Sequence, residues 1–169
     1  MAPSREHINL QHRSLKWLRN KMTGRGMRGA HEVSLKQGYV ADAVAMGSLQ
    51  SRYSERYWNN HHRDGRYRFL HHERYSDGVF VFEAKATRAD FLSTFGKKYG
   101  PHANRFEPIG THHWVVVPRG IIKPEEYHML AFWGVLEESG TGLREVHAPY
   151  WCNISTAALQ QIAYSLLWK

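Results

Sequence analysis

The stretch Val79-Phe80-Val81-Phe82-Glu83-Ala84-Lys85 constrains the fold of this chain more than any other. Its alternating Val and Phe read as a buried strand. Successive strand side chains point to opposite faces, so Glu83 and Lys85 share one face. Ionised groups at the end of a buried strand are costly unless a metal, a partner or a substrate compensates them. Upstream, Asp42 interrupts a second apolar run. An aspartate on one strand and an acid-x-lysine ending another is the layout expected of a metal-dependent site that cleaves phosphodiesters. The spacing alone also suits a surface cross-strand ion pair, but the apolar flanks argue against a surface.

The 169 residues suit a single domain over 1–169 with one core. A hydrophobic content of 42% argues against wholesale disorder. The net charge of +8 favours a polyanionic partner, most simply nucleic acid. A membrane surface is the other basic-protein reading, and no long amphipathic basic helix supports it. Cys152 is the single cysteine, which excludes an intrachain disulfide and fits a reducing compartment. The first residues lack an apolar signal core, and no run is long enough to span a bilayer. The expectation is a cytoplasmic protein without a membrane partner.

Apolar periodicity predicts a helix from Glu6 to Met22, with Ile8, Leu15, Leu18 and Met22 on one face. Strands follow at Ala30 to Leu35 and Tyr39 to Met46, joined through Gln37-Gly38. After the Val79 to Lys85 strand, Thr87 fits a helix cap with Asp90 three residues on. That helix would run from Arg88 to Lys98 and bury Phe91, Leu92 and Phe95. Trp114 to Val117 reads as a strand, and Pro124-Glu125-Glu126 opens a short helix. Phe132 to Leu136 and Leu143 to His147 form a hairpin. Ser155 caps a last helix with Leu159, Ile162, Leu166 and Leu167 on its apolar face. The sum is an α/β fold, a mixed sheet flanked by helices.

Phosphodiester hydrolysis needs an activated water, charge stabilisation at phosphorus and a neutralised leaving oxygen, and Mg²⁺ can serve all three. Mg²⁺ takes oxygen ligands, usually one or two carboxylates with waters and substrate oxygens. Asp42 and Glu83 would supply the carboxylates and Ala84 a backbone carbonyl, with Mn²⁺ as a substitute ion. Lys85 would place a point charge on the water or the phosphate.

Residues 31–149 resemble the PD-(D/E)XK nuclease superfamily, and within it the MmcB-like DNA-repair proteins and related phage and bacterial proteins. The matching pieces are Ala41-Asp42-Ala43-Val44-Ala45 and Glu83-Ala84-Lys85-Ala86-Thr87-Arg88-Ala89-Asp90-Phe91. They continue with Trp114 to Ile122, Pro124-Glu125-Glu126 and Trp133-Gly134-Val135-Leu136. The resemblance implies a restriction-endonuclease-like core, with a mixed sheet between helices. It implies a metal on Asp42 and Glu83, catalysis assisted by Lys85, and DNA as the partner. Asp90 and Lys97 match positions that recur beside such sites, although Asp90 also suits a helix cap. Glu32 is a further candidate for the metal shell and ranks above Glu6 on the first helix.

One segment departs from the family pattern. Residues 47–78 are far longer than a tight hairpin and interleave Arg52, Arg56, Arg63, Arg66, Arg68 and Arg74 with aromatics such as Tyr57 and Trp58. Arginine pairs with phosphate and aromatic rings stack on bases, so this inserted arm is expected to bind nucleic acid, with Lys97 and Lys98 as further phosphate contacts. The same residue types also dominate protein interfaces, and double-strand cutting by a single-site domain would favour a homodimer. The pairs His61-His62 and His71-His72 lack the accompanying cysteines of a closed zinc site. His112 and His113 would either face the cleft or be structural. A non-catalytic DNA-binding or repair-accessory module on the same fold is the competing functional reading.

Overall fold

The computed structural model describes residues 4–22, 27–34, 40–50, 77–96 and 108–167. Helix α1 spans Arg5–Arg19. Ser4 caps it, its Oγ accepting the His7 N–H at 3.2 Å. Its inward stripe is Leu10, Gln11, Ser14, Leu15 and Leu18, while Ile8 is exposed. The expected face is therefore rotated: Leu10 replaces Ile8, and two polar residues join the buried side.

Strands β1 (Arg28–Ser34), β2 (Val40–Ser48) and β3 (Asp77–Ala84) pair antiparallel in sequence order. Then α2 (Arg88–Phe91) leads into a π-helical turn at Leu92–Gly96. The expected N-cap is present, with Thr87 Oγ1 accepting the Asp90 N–H at 3.2 Å. Phe91 and Phe95 are buried as expected, whereas Leu92 is exposed. Strand β4 (His112–Val117) runs parallel to β3, and β5 (Gly134–Ser139) runs parallel to β4. Between them Pro124–Leu130 forms a 3₁₀ helix. A hairpin joins β5 to β6 (Gly142–His147), and α3 (Thr156–Leu167) follows, with Ser155 Oγ accepting the Ala158 N–H at 3.2 Å.

The result is an α/β fold with one mixed six-stranded sheet in the order β1-β2-β3-β4-β5-β6. One face carries Ala43, Ala45, Phe80, Phe82, Ala84, Trp114, Val116 and Leu136 against Leu10, Leu15 and Leu18 of α1. Phe82 and Trp114 stack there with ring centres 5.4 Å apart. The opposite face carries Val79, Val81, Val115, Val117 and Val135 against Phe91, Phe95, Ile162 and Leu166. Both faces of β3 are thus covered, as its continuous apolar run requires. On α3 the inward residues are Ile162 and Leu166, and Leu159 and Leu167 are exposed.

The boundary of the inserted segment also shifts. Gly47 pairs with Gly78 and Ser48 with Asp77, so these residues continue the ladder and do not belong to an arm. Arg52, Arg56, Tyr57, Trp58, Arg63, Arg66, Arg68, Arg74, Lys97 and Lys98 lie outside the described residues. So do the two histidine pairs between residues 61 and 72. Among the described residues no helix is long and apolar enough to cross a membrane.

Arg88 fastens the start of α2 to the 3₁₀ helix, donating to Glu126 Oε2 at 2.9 Å and to the Ile121 carbonyl at 2.7 Å. The Arg88 hydrogen bond, and after it the Lys123 N–H, pull the Glu126 carboxyl down from 4.5 to about 2. A depressed acid stabilises the fold above its unfolded value and stops doing so as pH falls through its folded value. Glu126→Gln should therefore melt below the parent at neutral pH. The gap should close as pH falls from 4.5 to about 2, read as Tm against pH. At the end of the same 3₁₀ helix Ala131 sits at φ 51°, ψ −108°, which is unfavourable for a residue with a Cβ. Ala131→Gly should raise stability by about 1 kcal/mol in denaturant titration.

Candidate active site

The paired rungs of β2 and β3 run from Ser48/Asp77 to Ala43/Phe82. Beyond them, the Ala84 N–H donates to the Asp42 carboxylate, Oδ2, at 2.7 Å. On the other side β3 continues alongside β4, and the Lys85 N–H donates to the Val116 carbonyl at 2.9 Å. The end of β3 is therefore fixed by main chain on one side and by an aspartate on the other.

Glu83 and Lys85 share a face, as their spacing requires. Both are buried, and Lys85 Nζ lies 2.9 Å from Glu83 Oε1. Asp90, at the start of α2, brings Oδ1 to 3.8 Å from the same nitrogen. The Thr87 hydroxyl caps the helix by accepting the Asp90 N–H, which leaves the Asp90 carboxylate turned to Lys85. Burial is the largest single influence on the Lys85 ammonium and pulls its pKa down. The charge and hydrogen bond of Glu83, with Asp90 and Asp42 behind them, together outweigh it, and the pKa ends above 10.5. Lys85 is thus a buried, charged lysine with carboxylates around it.

Helix α1 completes the site through two residues not singled out in the sequence. His7 Nε2 lies 3.0 Å from Asp42 Oδ1, and Gln11 Nε2 donates to the same oxygen at 3.3 Å. Their spacing of four residues puts both on one helix face, but nothing local ties that face to a strand residue 31 or 35 positions away. Continuing the ladder by one residue sets Glu32 and Asp42 at corresponding positions on β1 and β2. Glu32 is exposed there, at φ 50°. Glu6 is exposed on α1. Among the described residues no three His, Cys, Asp or Glu side chains are grouped to hold a metal ion by themselves. No such group among the described residues brings Glu32 or Glu6 together with Asp42 and Glu83.

His112 and His113 do not face this site. They pair with Phe80 and Val81, at the other end of the β3–β4 ladder from Glu83 and Ala84. His113 Nε2 accepts the Gly110 N–H at 3.1 Å. Burial first, and then the neighbouring His112, lower its pKa to about 3, so it is neutral and structural. His112 stacks on Phe80 with ring centres 5.2 Å apart.

No family model matches the chain, and no curated protein matches it. A solved structure is similar: the SPO1766 protein of unknown function from Silicibacter pomeroyi, with a TM-score of 0.59 and 14% sequence identity. The match covers 98% of this chain and 86% of that one. At that identity the likeness concerns the fold alone, an α/β architecture spanning nearly the whole chain.

Removing one member of a buried ion pair strands the other. Glu83→Gln should cost roughly 3 kcal/mol of stability, with Asp90 softening the loss. The double variant Glu83→Gln/Lys85→Met should recover most of it, and denaturant titration of both reads the coupling. The raised lysine stabilises at every pH below 10.5 and loses its contribution only as pH climbs through its higher folded value.

Proposed function

We propose that the chain is a Mg²⁺-dependent phosphodiesterase acting on DNA, of the restriction-endonuclease-like kind. The observation that carries this reading is the buried Glu83–Lys85 pair at the strand end where the Asp42 carboxylate bonds the Ala84 N–H. A mixed sheet between helices supports it, being what the resemblance to PD-(D/E)XK nucleases implies.

The donor set suits a hard cation. Asp42 and Glu83 offer carboxylate oxygens, and the Ala84 carbonyl is the backbone candidate between them. Two carboxylates with waters and substrate oxygens are enough for Mg²⁺, so a third protein carboxylate is not required. When bound, Mg²⁺ or Mn²⁺ would supply charge at phosphorus and acidify a water. Lys85 contributes a fixed cation for the water or the scissile phosphate, and burial strengthens its field. Asp90 and Glu83 orient that cation. The +8 net charge draws the nucleic acid, and the Arg and aromatic residues between positions 51 and 76 would contact it. A cytoplasmic location and a homodimer that cuts both strands go with this reading.

One observation favours a second reading, a DNA-binding or repair-accessory module without catalysis. Asp42, Glu83 and Lys85 already satisfy one another and their neighbours by hydrogen bonds and an ion pair. Plasmid cleavage with Mg²⁺ or Mn²⁺ separates the two. The nuclease should cut, and Asp42→Ala and Lys85→Ala should each lose on the order of 100-fold in rate or more while keeping salt-dependent DNA affinity. Salt-dependent binding without cleavage in either metal supports the accessory module. Cleavage undiminished in both variants overturns the site.

A further inference from the structure

The Asp42 carboxylate is gripped from two directions. From α1, His7 Nε2 and Gln11 Nε2 reach Oδ1 at 3.0 and 3.3 Å. From β3, the Ala84 N–H reaches Oδ2 at 2.7 Å. A carboxylate oxygen accepts hydrogen bonds, and the His7 contact has the matching donor in the tautomer with its proton on Nε2. Each carboxylate oxygen offers about two acceptor positions. Two donors fill Oδ1. Among the described residues Oδ2 has one donor, which leaves one position.

These contacts are partly shielded from water. The side chains of His7 and Asp42 are 18% and 16% exposed. Gln11 is 4% exposed, on the stripe of α1 that otherwise packs the core. A buried amide in that place is costly unless it is hydrogen-bonded, and the Gln11 amide donates to the carboxylate. Hydrogen bonds to an ionised group are stronger and shorter than neutral ones.

We infer that His7 and Gln11 are positioning residues that pin Asp42 Oδ1, so that Asp42 presents Oδ2 alone and acts as a one-oxygen ligand. The inference rests on the metal-site reading above and adds the helix to it. His7 acts through Asp42 and does not itself touch the ion. Without the two donors only the Ala84 N–H holds the carboxylate, and its terminal torsion is less constrained.

The test is Mn²⁺ titration of the metal-free protein, followed by loss of the free-ion electron paramagnetic resonance signal. His7→Ala should weaken Mn²⁺ affinity by about 10-fold or more, the usual size of an outer-shell effect on a metal site. His7→Gln restores an N–H donor of similar reach and should recover most of that loss. Gln11→Leu, which keeps the packing, should weaken affinity in the same direction. Asp42→Asn should abolish binding. If Asp42→Asn binds Mn²⁺ like the parent, the metal site itself fails and the clamp with it. If Asp42→Asn abolishes binding while His7→Ala and Gln11→Leu bind normally, the site stands and the clamp is overturned. Equal losses in His7→Gln and His7→Ala would make His7 a ligand and overturn the positioning role. Should His7→Ala fail to fold, His7→Gln and Gln11→Leu decide, because unchanged affinity in Gln11→Leu overturns the clamp.

Discussion

The polar end of the sheet depends on one hydrogen bond, from the Ala84 N–H to Asp42 Oδ2 at 2.7 Å. The last β2–β3 rung is Ala43/Phe82, and beyond it the two strands part. A buried main-chain amide without an acceptor would be costly, so a carboxylate takes the place of the missing carbonyl. The chain turns over to allow it. Ala41 packs with the core under α2 and α3, whereas Ala43, two residues on, packs under α1. A regular strand would put both on one face. On the adjacent strand Glu32 takes a left-handed φ of 50°, between the pairs His31/Ala43 and Val33/Ala41. Two neighbouring strands are distorted at one level, and that level carries the aspartate. Strain concentrated beside a polar constellation is typical of sites and not of cores.

The divergence also decides how Glu83 and Lys85 are accommodated. They continue the face of Val79 and Val81, which α2 and α3 cover, so both charges are forced toward an apolar layer. Lys85 stays charged there because Glu83, Asp90 and Asp42 together outweigh the cost of its burial. Such a pair is weak support for stability, since an apolar pair of the same volume would serve the fold as well or better. The pair sits at the strand end where β2 has left β3, the placement from which the proposed chemistry starts.

Much of the fold was legible in the sequence because local rules decided it. The apolar run of β3, the caps at Thr87 and Ser155, Pro124 opening the 3₁₀ helix and the hairpin through Gly140 all behave as their residue types require. What escaped depended on docking. Ile8 and Leu10 compete for the inward face of α1, and periodicity alone does not weigh Leu10 with Gln11 and Ser14 against Ile8. The π turn after Phe91 leaves Leu92 exposed, which an ideal helical period does not foresee. The site divided in the same way. Asp42, Glu83 and Lys85 were visible from burial and spacing within strands. His7 and Gln11 were not, because their partner lies 35 and 31 residues away across a helix–sheet interface.

The apolar and polar contacts of α1 act as one constraint. Leu10 and Leu18 are fully buried against the face that holds Ala43, Phe82 and Trp114. Each large side chain removed from water contributes roughly 1.5–3 kcal/mol, far more than a net hydrogen bond, so packing sets where the helix sits. Gln11 follows Leu10 directly, and His7 precedes it by three residues, about one helical turn. Once the leucines are seated, both donors are carried to the level where β2 leaves β3. The hydrogen bonds then need little further ordering, because the helix has already lost its freedom to the core. The same economy holds on the other face, where Phe91 buries α2 and so brings Asp90, one residue earlier, to Lys85. The carboxylates and the lysine are thus aimed by the packing of neighbouring apolar side chains.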